Sequence, residues 1–258
     1  MAEVVKLEHV KKYYHTPQGE TEALKDIHFS VGETEFVSMI GPSGCGKSTV
    51  LSLIAGLEDP SGGRVLLNGV DARTVRGKIG YMLQQDQLFP WLTIRQNVLL
   101  GPDIRHMRTK ETEEKADALL EQYGLGTFKN AYPAHLSGGM RQRAALIRTL
   151  VPDPALLLLD EPFSALDYQT RLAVADDIRA IIKRQNKTAI LVTHDISEAI
   201  SMSDRVIVLS ARPSRVVKEY RIALTGQTPL EKRSAPGFSA YFQELWKELN
   251  ANGQQGTP

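Results

Sequence analysis

The residues best suited to chemistry in this chain fall into three short stretches. GPSGCGKST runs from Gly41 to Thr49 and fits the pattern G-x-x-x-x-G-K-[ST]. In such a loop Gly41, Gly44 and Gly46 let the backbone of Pro42–Thr49 wrap closely around phosphates, with the N–H groups of Ser43–Thr49 turned inward. Lys47 supplies a positive charge for β- and γ-phosphates, and Ser48 a hydroxyl for magnesium. Cys45 reads as a small loop residue rather than a nucleophile. The second stretch, LLLLDEP, is an apolar run that ends in two carboxylates, Asp160 and Glu161. In an open parallel sheet that end is where ligands bind. Asp160 is placed to hold magnesium through water, and Glu161 to polarise an attacking water. The third, Thr193–His194, ends another apolar run. An imidazole there can contact a terminal phosphate and hold a water in line with Glu161.

A further stretch, HLSGGMRQR from His135 to Arg143, raises a question. Ser137 is a natural N-cap, Gly138 and Gly139 permit close backbone approach, and the helix from Met140 onward offers unpaired N–H groups and a positive dipole end. Read alone, it is either an ordinary helix cap or a second grip for an anion. One nucleotide needs only one such grip.

These groups need elements to hold them. TEFVSMI reads as a buried strand feeding the glycine-rich loop, and STVLSLIAGL follows with helical spacing. ALLLLD and TAILVTH read as further strands, with a helix between them whose Val174, Ile178, Ile181 and Ile182 share one face. Strands alternating with helices imply a parallel sheet covered on both faces. VVKLEHV and HFSV alternate like strands of a β-sheet near the start. From about Thr109 a helical block intervenes: TKETEEKADALLEQYGLG places Ala116, Leu119, Leu120 and Tyr123 on one stripe, with Gly124 as the stop. Near the C-terminus, Phe238, Tyr241, Phe242, Leu245, Trp246 and Leu249 fall on one side of a helix, which serves either to dock on the core or to bind a partner.

Composition sets outer limits. The chain has 258 residues, 42% hydrophobic and 24% charged, which suits one large domain with an inserted subdomain. A formal net charge of +1 gives no global footprint for nucleic acid. A single cysteine rules out an intrachain disulfide framework. The apolar runs are far too short to span a bilayer, so a cytoplasmic location is expected, with membrane association through a partner.

Taken in order, these motifs resemble the ATPase subunit of ATP-binding cassette (ABC) transporters. GPSGCGKST resembles the Walker A motif, LLLLDEP the Walker B, LSGGMRQR the signature motif, SALD (Ser164 to Asp167) the D-loop and His194 the switch histidine. In YMLQQDQLFPW, Gln84 matches the Q-loop glutamine by counting back from Pro90 and Trp91, with Gln85 the alternative; the resemblance makes Gln84 a ligand of magnesium and nucleotide. In HVKKYY, spacing favours Tyr14 over Tyr13 as the aromatic that stacks on adenine. The resemblance implies a P-loop NTPase α/β core with a parallel sheet flanked by helices, an N-terminal antiparallel β subdomain and an inserted helical subdomain. It covers about residues 4–225, with the helical insertion at about 87–152, a C-terminal docking helix at 226–250 and a tail at 251–258 expected to be disordered.

The resemblance also answers the question of the second grip. Two subunits pair head to tail, and each ATP lies between the P-loop of one and Ser137, Gly138 and Gly139 of the other. The implied cofactors are ATP and magnesium. The implied partners are a second copy, transmembrane permease subunits and, indirectly, a periplasmic or lipid-anchored substrate-binding protein, at the cytoplasmic face of the inner membrane. LFPWLTIRQNVLLG, with Phe89 and Trp91, and SARPSRVV resemble importers of the nitrate, sulfonate and taurine group, although Ser214 stands where their stretch has glycine. Phe89 and Trp91 are either core residues or anchors for a permease helix. A non-transport ABC ATPase of DNA repair or translation is the alternative reading. The absence of sustained heptads between Lys47 and Asp160, and the presence of one cassette only, weigh against it.

Overall fold

The computed structural model describes residues 2–17, 19–75 and 78–253. Strands β1 (Glu3–Thr16), β2 (Gly19–Gly32), β3 (Phe36–Ile40), β4 (Gly62–Leu67), β5 (Val70–Asp71), β6 (Ile79–Met82), β7 (Leu156–Asp160), β8 (Thr188–Val192), β9 (Arg205–Leu209) and β10 (Ser214–Arg221) join in one sheet. The helices are α1 (Lys47–Ile54), α2 (Ile94–Ile104), α3 (Lys110–Gln122), α4 (Gly138–Leu150), α5 (Tyr168–Arg184), α6 (Ile196–Met202), α7 (Pro229–Arg233) and α8 (Phe238–Gly253).

The sheet runs β5-β4-β1-β2-β10-β9-β3-β8-β7-β6. From β9 through β6 every pairing is parallel, whereas β5, β4, β1 and β2 pair antiparallel. The two parts are continuous, because β10 pairs antiparallel with β9 and parallel with β2.

The continuous apolar runs follow from burial on both faces. Leu156 and Leu158 of β7 pack in a cluster with Val50, Leu51 and Ile54 of α1 and with Leu7, Leu24 and Val65 of the antiparallel strands. Leu157 and Leu159 turn to the other face, among residues of α2 to α5 such as Val98, Leu120, Leu146 and Ile178. Each such leucine contributes about 1.5–3 kcal/mol on leaving water.

The helical block is secured at its helix starts. Thr93 and Thr109 each form a reciprocal capping box, with Gln96 and Thr112 respectively. The third cluster joins α6, β9 and α8: Leu245 is fully buried, and Phe238, Tyr241, Phe242 and Leu249 pack around it. Trp246 departs from the single apolar side expected of this helix. It is 56% exposed and stacks on Phe242 with ring centroids 6.3 Å apart. The stripe that meets the core is centred on Leu245, and the next residue lies about 100° further round the helix. The helix also continues to Gly253, so residues 251–253 are helical rather than tail. The rest of the expected tail lies outside the described residues.

Candidate functional site

The P-loop follows β3 directly. Gly41 leaves no room for a side chain, since an added Cβ would lie 2.8 Å from Cys45 Sγ and 3.1 Å from the Leu209 carbonyl oxygen. Gly46 takes φ 109°, a left-handed conformation open mainly to glycine, and presses against Leu24. As the residue before α1, Gly46 supplies no side-chain cap, so the first N–H groups of α1 are left for an anion. Cys45 is buried, and burial pushes its thiol up, which makes it a packing residue. The Lys47 ammonium lies over the loop, donating to the Gly41 carbonyl at 2.8 Å and the Pro42 carbonyl at 3.1 Å.

A cavity of about 300 Å³ opens here, lined by Ser43, Gly44, Gly46, Lys47, Ser48, Thr49, Glu161 and Arg212. Larger clefts occur at the opposite edge of the sheet, around Arg105, Met107, Pro152 and Asp153, and contain none of the motif residues.

The parallel register of β3, β8 and β7 brings the other groups to the same edge. Asp160 is paired with Val192, so Thr193–His194 emerges beside Asp160–Glu161. Ser48 Oγ donates to Asp160 Oδ1 at 3.3 Å. Burial pushes the Asp160 carboxyl up, opposed by its hydrogen bonds from Ser48 and Tyr81. Glu161 turns sharply out of the strand at φ 45°, and its N–H is tied to the Val192 carbonyl at 2.9 Å. A left-handed glutamate costs about 1–3 kcal/mol, and the surrounding hydrogen bonds hold it there. His194 Nδ1 lies 3.1 Å from Glu161 Oε2. Behind it, Thr193 Oγ1 donates to the buried Glu198 at 2.6 Å and accepts from the Asp195 N–H at 3.0 Å, which fixes the histidine loop. Arg171 of α5 spans from the Leu166 carbonyl to Asp195 and Glu198.

Tyr14 reaches this region and Tyr13 does not. The Tyr14 hydroxyl lies 3.4 Å from Thr49 Oγ1 and donates to Glu58 at 2.8 Å, whereas Tyr13 donates to Glu22 at 2.8 Å. Neighbouring strand residues point to opposite faces, so only one of the two can flank α1.

Other expected site residues stand apart. None of Gln84, Ser137, Gly138 and Gly139 lines the P-loop cavity. Ser137 caps α4 by accepting from the Met140 N–H at 3.3 Å, and α4 begins at Gly138, two residues before the expected Met140. Gly138 faces the loop before α5 and Gly139 faces α5 itself: an added Cβ would lie 2.9 Å from Leu166 on Gly138 and 2.8 Å from Val174 on Gly139. Gln84 is exposed in the segment after β6. That segment is tied to α4, with Arg148 donating to the carbonyls of Asp86 and Gln87 and Arg141 to the Asp86 carboxylate at 3.0 Å.

Phe89 and Trp91 are 38% and 69% exposed and meet at 5.1 Å between ring centroids. They are therefore surface residues rather than core. Buried Asn97 positions them, accepting from the Phe89 N–H and donating to the carbonyls of Phe89, Leu92 and Thr93.

Arg212 escaped sequence reasoning. Its stretch, SARPSRVV, gave no chemical signal, and only the β3–β9 pairing carries the loop after Leu209 over the P-loop.

The donor set fits magnesium. Ser48 Oγ and the Asp160 carboxylate are hard oxygen donors side by side. Among the described residues no group of three or more His, Cys, Asp or Glu side chains forms a metal site. A cation here would need phosphate oxygens to complete its shell, as magnesium commonly does.

The ABC transporter family pattern matches residues 24–164. This chain belongs to the ABC transporter ATP-binding family. It is 49% identical over 251 residues to the uncharacterized ABC transporter ATP-binding protein YtlC of Bacillus subtilis, covering 96% of each chain. It is 40% identical over 245 residues to the aliphatic sulfonates import ATP-binding protein SsuB of Bacillus cereus, covering 95% of this chain and 94% of SsuB. Its fold matches a dimeric post-hydrolysis state of the ATP-binding cassette MJ0796 bound to ADP and Pi, with a TM-score of 0.72, 33% identity and coverage of 86% of this chain and 100% of that one. The chain is an ATP-binding ATPase subunit of this family, with the α/β P-loop architecture expected from its motifs. No described helix is long and apolar enough to cross a membrane.

Proposed function

We propose that two copies of this ATPase pair head to tail, each ATP held between the P-loop of one copy and Ser137–Gly139 of the other, and that the pair drives an importer of small anionic nutrients. The separation of the two anion grips carries this reading. One chain presents a P-loop cavity whose lining includes no signature residue, and also presents a capped signature helix with an exposed Ser137. A second copy supplies the missing wall to each cavity. ATP is then a ligand of the closed pair and shifts an open–closed equilibrium.

Within each site, Lys47 and the N–H groups of the P-loop bind the phosphates and Tyr14 flanks the adenine, while Gln84, exposed outside the cavity, would reach the nucleotide through movement of its loop. Ser48 and Asp160 would hold magnesium, whose charge would offset that building on the phosphate oxygens. Glu161 accepts a hydrogen bond from the attacking water and takes its proton. His194 holds Glu161 and the terminal phosphate in line. The new bond joins the water oxygen to the γ-phosphorus, the bond to the β–γ bridging oxygen breaks, and ADP leaves.

Phe89 and Trp91 form an exposed aromatic pair on a rigid segment, suited to anchoring a short helix of a permease. The subunit then works from the cytoplasmic face of the membrane, and a periplasmic or lipid-anchored binding protein delivers the solute. The relationship to SsuB favours an aliphatic sulfonate among the solutes, with taurine and nitrate the other members of the importer group that the sequence resembles. The net charge of +1 offers nucleic acid no broad basic surface.

Phosphate release at saturating ATP tests the site. Lys47→Ala is expected to abolish it, and normal turnover in that variant would remove the P-loop from the mechanism. For transport, the subunit is reconstituted with its membrane partners and binding protein. Stimulation of its ATPase by taurine, an alkanesulfonate or nitrate is expected; stimulation by none of them would reject the substrate class.

A further inference from the structure

Tyr81 lies on β6 and opens the YMLQQDQLFPW stretch three residues before Gln84, but the family resemblance gives it no role. The parallel pairing of β6 with β7 sets Tyr81 opposite Leu158, on the face shared with α1. From there its hydroxyl donates to Asp160 Oδ2 at 3.3 Å, while Ser48 Oγ donates to Oδ1 at 3.3 Å. The two oxygens of one carboxylate thus have separate donors, one on the P-loop helix and one on the strand that leads to Gln84.

We propose that Tyr81 is a positioning residue for the divalent cation that accompanies ATP: it holds Asp160 by Oδ2 so that Oδ1 is the oxygen presented beside Ser48. The proposal rests on the assignment of Asp160 and Ser48 to the cation. Without the phenol, Oδ2 lacks this donor in a half-buried setting, and the carboxylate turns to find another. The effect falls on cation affinity, because Tyr81 does not line the phosphate cavity. Strand β6 also ties the orientation of Asp160 to the segment that carries Gln84.

Tyr81→Phe keeps the ring and removes only the hydroxyl. ADP affinity is measured by calorimetry in EDTA and in magnesium, and manganese affinity of the ADP complex by electron paramagnetic resonance. In Tyr81→Phe the manganese affinity, and the gain in ADP affinity that magnesium confers, are expected to fall roughly tenfold, with ADP affinity in EDTA unchanged. The magnesium needed for half-maximal hydrolysis rises in step, and kcat at saturating magnesium stays near that of the parent. Unchanged manganese affinity would overturn the proposal, and so would an equal loss of ADP affinity in EDTA, which marks a general disturbance of the pocket. If Tyr81→Phe fails to unfold cooperatively, Tyr81→Met is used with the same readouts. Asp160→Asn separates this proposal from its premise. If that variant keeps the full magnesium-dependent gain, the assignment of Asp160 itself fails. If it loses the gain while Tyr81→Phe keeps it, only the role of Tyr81 fails.

Discussion

His194 Nδ1 sits 3.1 Å from Glu161 Oε2, across the ends of two parallel strands whose register places Asp160 beside Val192. The carboxylate is held by a left-handed backbone turn and the imidazole by the Thr193–Glu198 hydrogen bond. The fold itself therefore sets the geometry of the pair. An acid–base role and a purely orienting role make different demands on the two residues.

Glu161→Gln is expected to retain ATP binding and to lose about 10²–10⁴-fold in hydrolysis, since an amide is a far weaker base than a carboxylate. The replacement is nearly isosteric, so Ser48 and Asp160 keep their contact. Single-turnover phosphate release and light scattering in ATP read the two effects together: slow chemistry and a trapped dimer. If Glu161→Gln hydrolysed at nearly the parent rate while His194→Ala did not hydrolyse at all, the histidine would be the better base.

Asn97→Ala should destabilise the subunit by about 1–3 kcal/mol, because it strips partners from the backbone groups of Phe89, Leu92 and Thr93 around a fully buried amide. Urea unfolding measures the loss. The same variant should bind a permease more weakly than its stability loss explains, since the aromatic pair is no longer held in place.

Trp91→Ala should change stability by about 1 kcal/mol or less, as expected of an exposed ring. The ATPase of the isolated subunit should be unaffected. Co-purification with the membrane subunits should fall sharply; recovery of a full complex would show that this surface is not the docking site.

Arg95 binds Asp117 through two hydrogen bonds of 2.8 and 2.9 Å and Glu113 through one of 3.0 Å, joining α2 to α3. The hydrogen bond from Arg95 holds the Asp117 carboxyl below its usual range. A depressed carboxylate gives stability that is present above its unfolded pKa, about 3.9, and is lost as pH falls through the lower folded value. Arg95→Met should therefore lower stability at pH 7 and make the acid limb below about pH 4 shallower, as read by thermal unfolding across pH.

The chemistry was legible because it depends on local order along the chain. A glycine-rich loop between strand and helix, two acids at the end of an apolar run and a histidine at the end of another are fixed by spacing alone. Periodicity also revealed the core strands, since burial on both faces forces continuous runs such as Leu156–Leu159.

The tertiary structure decided what depends on which elements become neighbours. Only the pairing of β3 with β9 brings Arg212 to the phosphate cavity, and only that of β6 with β7 sets Tyr81 beside Asp160. It separated Tyr14 from Tyr13 by the face each takes, and put Trp91 at the surface on a segment held by the buried Asn97. It also showed Gly138 and Gly139 packed against Leu166 and Val174, a reason for glycine that no helix-start pattern contains. Spacing along one segment records that segment's own shape; a contact between segments depends on the register and packing of both, which no single stretch of sequence encodes.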